Sequence, residues 1–191
     1  MNLKSLVLSS LLAGAAFAVQ GAGAATINHT TAIVPVDDGV GGFNAHFGDT
    51  FTSSTVNNTF TDVFTFQVNR PFDAAASLTS VYLNTPQTKD LSISGFSLYR
   101  FDPSTHAIQG NAIAGINESG FGSNPTDSWS LQGYGLQGGY YAIQVDGRVR
   151  GVGGGSFGAD LAVAPVPEPQ SWGMLLAGVG ILGAVARRRK T

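Results

Sequence analysis

The chain predicts an all-β protein, a single antiparallel β-sandwich of jelly-roll-like type, set between an apolar N-terminal segment and a C-terminal hydrophobic helix. Three observations predict it. Thr59–Val68 alternates strictly, with Phe60, Asp62, Phe64, Phe66 and Val68 on one face and Thr59, Thr61, Val63, Thr65 and Gln67 on the other, as a half-buried strand requires. About eight short apolar runs are separated by Gly, Pro, Asn and Asp, the punctuation of antiparallel sheets. No stretch of the body sustains a 3.6-residue period.

The first element, Met1–Ala25, has the three parts of a signal peptide: Lys4, an apolar run from Leu6 to Val19, and the small residues Ala22-Gly23-Ala24 before the cleavage point. Residues 26–164 form the body, 139 residues of the 191, enough for one hydrophobic core. Its strands are expected at Ile27–Val36, Phe43–Thr52, Thr59–Val68, Ser77–Leu83, Leu91–Phe101, Ala107–Ile113, Trp129–Leu131, Tyr141–Val145 and Phe157–Val163. In Leu91–Phe101 the apolar phase shifts at Gly95, from Leu91 and Ile93 to Phe96 and Leu98. That shift predicts a β-bulge. Asp146-Gly147 reads as a turn, and the runs on either side of the Gly151–Gly155 loop are expected to pair as a hairpin. Residues 165–191 form the tail. Ala164-Pro165-Val166-Pro167-Glu168-Pro169 stops the last strand, and Trp172–Ala186 carries no charge before Arg187-Arg188-Arg189-Lys190. At 1.5 Å per residue this apolar run spans ~22 Å, short of a ~30 Å hydrocarbon core. With Trp172 at one interface and the basic cluster snorkelling at the other, it is expected to be a short transmembrane helix, the cluster cytoplasmic and the body outside.

Composition narrows the function. The body has five basic against eleven acidic residues, a net charge of −6, which opposes nucleic-acid binding through phosphate neutralisation. The chain has no cysteine, so disulfides, thiolate metal sites and a cysteine nucleophile are excluded.

Pro167-Glu168-Pro169, the apolar segment and the basic end resemble the PEP-CTERM sorting signal of Gram-negative bacteria. The resemblance implies processing by exosortase, a membrane cysteine transpeptidase, and release or attachment at the cell surface, often beside exopolysaccharide production. Phe60-Thr61-Asp62-Val63-Phe64 and the later Gly139–Gly147 segment resemble the FxDxF family of PEP-CTERM proteins, with no assigned activity.

Several motifs fail on context. Gly154-Gly155-Ser156-Phe157-Gly158 fits G-x-S-x-G, yet a strand follows it, and His29, His46 and His106 all precede it, so it is no nucleophile elbow. Gly153/Gly155/Gly158 and Gly178/Gly180/Gly183 fit G-x-G-x-x-G without a βαβ setting. The histidines form no i, i+4 pair and read as surface residues. Asp62, among phenylalanines on the core face, must accept backbone hydrogen bonds, pair with an arginine or bind a cation. Asp37, Asp38, Asp49 and Asp62 are the calcium candidates; no other cofactor is indicated. Trp129 reads as core, while Tyr134 and Tyr140 are equally placed for the core or for stacking on sugars.

The reading is therefore an exported, exosortase-sorted surface or extracellular protein without catalytic activity, associated with matrix or exopolysaccharide. Its processing partners are signal peptidase and exosortase, with passage through the inner membrane. The alternative is a calcium-stabilised carbohydrate-binding module. A small glycan hydrolase is the third class, and would need two carboxylates facing each other across a cleft.

Overall fold

A computed structural model of the full chain describes residues 25–81, 88–119, 127–166 and 169–188. In chain order the elements are β1 (Thr26–Ala32), β2 (Val36–Asp37), β3 (Phe43–Phe51), β4 (Thr59–Val68), β5 (Phe72–Ser80), β6 (Leu91–Asp102), β7 (Ala107–Ala114), β8 (Ile116–Asn117), β9 (Asp127–Leu136), β10 (Gly139–Val149), β11 (Gly155–Pro165) and the helix α1 (Pro169–Arg188). They build two sheets, one ordered β1-β4-β10-β6-β7 and the other β2-β3-β11-β5-β9-β8. All pairings are antiparallel except the edge pair β1·β4, which is parallel. The predicted all-β sandwich is the fold observed.

The alternation read in Thr59–Val68 carries through: Phe60, Asp62, Phe64, Phe66 and Val68 are buried and face the second sheet. Tyr141, Ile143 and Val145 of β10 and Leu91, Ile93, Phe96 and Leu98 of β6 complete that inner face. Phe47 and Phe51, Phe72 and Leu78, Trp129 and Leu131, and Phe157, Leu161 and Val163 cover it from the other sheet. Phenylalanine therefore dominates the contact between sheets. Burying each such ring contributes roughly 1.5–3 kcal/mol.

The bulge in β6 lies where the phase shift placed it. Asp146 pairs with Gly95 and Gly147 with Ile93, leaving Ser94 as the extra residue. Three other expectations are corrected. Asp146-Gly147 is no turn but lies inside β10, where Gly147 faces inward and a Cβ would sit 2.4 Å from the Phe60 ring. The glycine is needed for ring clearance. β10 and β11 do not form a hairpin, because both edges of β10 are taken by β4 and β6 and both edges of β11 by β3 and β5. The connecting glycines instead make a packed corner between sheets: Gly154, at φ +81°, would place a Cβ 1.9 Å from the Phe51 carbonyl oxygen. Ile27–Val36 is not one strand either. It breaks at Ile33–Pro35, so that β1 joins one sheet and β2 the other.

β5 begins at Phe72, earlier than expected, since Ala74 and Ala76 fill the narrow core without any β-branched signal. β9 likewise continues through Gly133-Tyr134-Gly135. Ala107–Ile113 and Phe43–Thr52 correspond to β7 and β3. Residues 82–83, expected as strand, lie outside the described residues, as do residues 1–24 of the expected signal peptide.

The tail forms a helix of 20 residues, but the expected transmembrane helix is not reproduced. Among the described residues no helix is long and apolar enough to cross a membrane. Its polar first turn and terminal arginines shorten the apolar part, and Gly173, Gly178 and Gly180 dilute it. Met174, Leu175, Leu176, Val179, Ile181 and Leu182 are all exposed on it. Pro167, Glu168, Arg189 and Lys190 lie outside the described residues; Pro169 opens the helix, Trp172 lies in its first turns, and Arg187 and Arg188 end it.

Candidate functional site

Among the described residues two places gather functional groups, one inside the open edge of the sandwich and one on an outer face. The first begins with Asp62. Along β4 it falls between Phe60 and Phe64, and along β3 Asp49 falls between Phe47 and Phe51. The rings pair across the sheets, Phe51 with Phe60 at 4.4 Å and Phe47 with Phe64 at 4.6 Å between centroids. The two carboxylates are thus the middle rung between two aromatic rungs. His29 joins them because β1 runs parallel to β4 in a register that places His29 beside Asp62. Its Nδ1 lies 2.6 Å from Asp49 Oδ2 and 3.5 Å from Asp62 Oδ1, and its ring stacks on Phe51.

Asp62 is 0% exposed, and neither of its carboxylate oxygens meets a hydrogen-bond donor. No arginine pairs with it among the described residues; its neighbours are His29, through backbone and ring, and Asp49. Burial in the phenylalanine layer, reinforced by the neighbouring Asp49 charge and partly opposed by His29, pushes the Asp62 carboxyl up to about 7. Two carboxyls this close cannot both be ionised at low cost without a cation or a shared proton between them. Asp49 also accepts a hydrogen bond from the Thr50 N–H.

Asp37 and Asp38 are not brought to this point. They cap their own turn, Asp37 accepting from the Gly39 N–H and Asp38 from the N–H groups of Val40 and Gly42. The four calcium candidates therefore separate, Asp37 and Asp38 into a turn and Asp49 and Asp62 into a cluster with His29. Sequence spacing missed His29, because its placement depends on the parallel edge pairing. His46 and His106 are surface residues: His46 pairs with exposed Asp160 at 3.0 Å, and His106 packs edge-on to Phe101.

Another carboxylate that sequence reading passed over is Asp127. Buried at the start of β9, it accepts from Ser119 Oγ and Trp129 Nε1 at Oδ1, and from Ser80 Oγ and the Ile93 N–H at Oδ2. Ile93 belongs to the opposite sheet, beyond the reach of the β7 pairing, so Asp127 latches the two sheets at the edge away from His29. Asp90 is buried as well, with Arg150 Nε 4.0 Å from its Oδ2.

The second place is a groove of about 690 Å³ across the outer face of the second sheet. Strand register builds it from two rows, His46–Asp160–Ser77–Ser130 and Asn44–Ala162–Ala75–Gln132. Small side chains form the floor, amides stand at both ends of one row, and a His–Asp pair closes the other. Tyr134, 70% exposed, continues the same face of β9 and donates its hydroxyl to Gln132. Tyr140 is exposed on the other sheet, so the two tyrosines do not share a platform. Trp129 is core, as read from sequence.

Neither place assembles a nucleophile. Ser156 is the second residue of β11, not a strand-to-helix elbow. In the groove the aspartate stands between His46 and Ser77, whereas activation of a serine needs the histidine in the middle. No sugar can pass between Asp49 and Asp62, because Asp62 is wholly covered.

Residues 165–190 match the PEP-CTERM protein-sorting motif. No curated protein sequence matches the chain. Among solved structures it is similar to the pre-peptidase C-terminal domain of collagenase from Bacillus anthracis, at 14% identity over 73% of this chain and 95% of that one, TM-score 0.37. It is also similar to PliG of Aeromonas hydrophila, a periplasmic lysozyme inhibitor of g-type lysozyme, at 17% identity over 73% of this chain and 98% of that one, TM-score 0.34. At such scores neither likeness bears on function.

Proposed function

We propose, for a chain that ends in a PEP-CTERM protein-sorting motif, a non-catalytic β-sandwich displayed outside the cell that binds exopolysaccharide. The motif marks an exported substrate of exosortase. A signal peptide at residues 1–25 starts export, and signal peptidase removes it. The tail holds the chain transiently at the inner membrane until exosortase acts near Pro167-Glu168-Pro169. The observation that carries this reading is the position of the motif: it follows directly on β11, so the whole sandwich is cargo. Six exposed apolar side chains on α1 suit a lipid-facing surface better than a free one. Deleting residues 165–191 is expected to change both the cellular fraction holding the protein and the mass of its C-terminus. Unchanged fractionation and processing would sink the sorting proposal.

The groove supports the polysaccharide part. Amides, hydroxyls and an imidazole–carboxylate pair on a flat, weakly charged floor match the donors and acceptors of sugar hydroxyls, with exposed Tyr134 as a stacking face. Replacing both Asn44 and Gln132 by Ala removes two planar hydrogen-bonding groups. At about 0.5–1.5 kcal/mol each, the expected loss is about tenfold in affinity for neutral exopolysaccharide, measured by affinity electrophoresis. Equal retardation of native and double variant would remove the groove from the proposal.

A further inference from the structure

We propose that His29, Asp49 and Asp62 form a binding site for a first-row divalent transition cation, zinc being the best match, at the open edge of the sandwich. One ligating atom from each residue lies within 4.8 Å of the others, the spread that one small ion can draw together. A cluster of acidic groups alone would carry nothing. Here the second observation is Asp62: it is completely buried, both oxygens lack a donor, and Oδ1 points at the imidazole. A buried unpartnered carboxylate beside a second carboxylate is costly, and a dication would compensate both charges at once.

The donor set selects the metal. Calcium takes six to eight oxygens, and the cluster supplies one nitrogen and two carboxylates. An imidazole with two carboxylates suits zinc and its first-row neighbours, water completing the shell. Access is open on one side, since the His29 side chain is 52% exposed and Asp49 28%. On the other side the Phe51–Phe60 and Phe47–Phe64 pairs lower the local dielectric and strengthen the charge attraction.

The three ligands come from β1, β4 and β3, hence from both sheets. β1 is an edge strand that pairs with β4. An ion at this point would pin it to the facing sheet, as Asp127 pins the opposite edge. The inferred role is a structural staple for the start of the sandwich.

The test uses the exported protein after chelator treatment, with Zn²⁺, Mn²⁺, Ca²⁺ and Mg²⁺ added singly. Calorimetry is expected to show a rise in melting temperature of roughly several degrees with Zn²⁺ at about 100 times Kd, a smaller rise with Mn²⁺, and none with Ca²⁺ or Mg²⁺. Co²⁺ should give visible d–d absorption bands with one equivalent bound. His29→Gln and Asp49→Asn should each lose the Zn²⁺ shift, read against the variant's own metal-free melting temperature, and the Co²⁺ bands. The proposal is overturned by a melting temperature indifferent to every cation, by a Ca²⁺ shift as large as the Zn²⁺ shift, or by a Zn²⁺ shift retained in His29→Gln.

Discussion

In chelator-treated protein, the unfolding free energy is expected to fall by on the order of 4 kcal/mol as pH rises from about 4 to about 8. The group responsible is Asp62. Its carboxyl is pushed up to about 7 in the folded chain from an ordinary 3.8, and every tenfold difference in proton affinity is worth about 1.4 kcal/mol. Between those two values the folded state holds a proton that the unfolded state has released, so stability decreases with rising pH. The contribution is complete below 3.8 and gone above about 7. Asp49 and His29 are the titratable neighbours facing Asp62, so the observed slope belongs to the cluster. Asp62→Asn keeps the shape, carries no charge and should flatten the profile, leaving the variant more stable than native protein at pH 8. Urea unfolding at a series of pH values reads this directly. A native profile that stays flat, or a variant with the native slope, would show that Asp62 is not buried as described.

Asp127→Ala is expected to cost about 2–6 kcal/mol, because it leaves two buried donors without an acceptor. It strands Trp129 Nε1 and the Ile93 N–H, both buried, while Ser80 Oγ and Ser119 Oγ keep the Leu91 and Ser128 carbonyls as acceptors. Each buried group left unsatisfied costs about 1–3 kcal/mol. Asp127→Asn keeps the volume and one strong acceptor, and should cost about half as much. Chemical denaturation of both variants gives the ratio, and the indole fluorescence of Trp129 reports the local change. Equal and small effects for the two would mean that the latch contributes little to holding the sheets together.

These two carboxylates illustrate what could be read early and what could not. Asp62 stood out in the sequence because alternation placed it on a face of phenylalanines, where a bare charge is anomalous. Its partners did not stand out. His29 lies 33 positions earlier and arrives through a parallel register, and Asp49 arrives from the other sheet. Asp127 carried no signal, since it opens a strand whose expected core was only Trp129–Leu131. The glycines misled in a consistent way. Asp146-Gly147 looked like a turn and Gly151–Gly155 like a loose loop, but both are places where another part of the chain presses too close for a Cβ. A local rule reads glycine as backbone freedom; contact distance gave it its role here.

By itself, the sequence determined the sorting motif at its C-terminal end and the class of fold. Sorting signals are read as linear order, and half-buried strands declare themselves by their own alternation, so neither needs the rest of the chain. Which strands share a sheet, which carboxylates meet, and that a histidine completes their cluster were decided only by the tertiary structure. Pairing energy between strands depends on both edges being free and on side chains meeting across about 10 Å of packed core, and neither condition is written in any one segment.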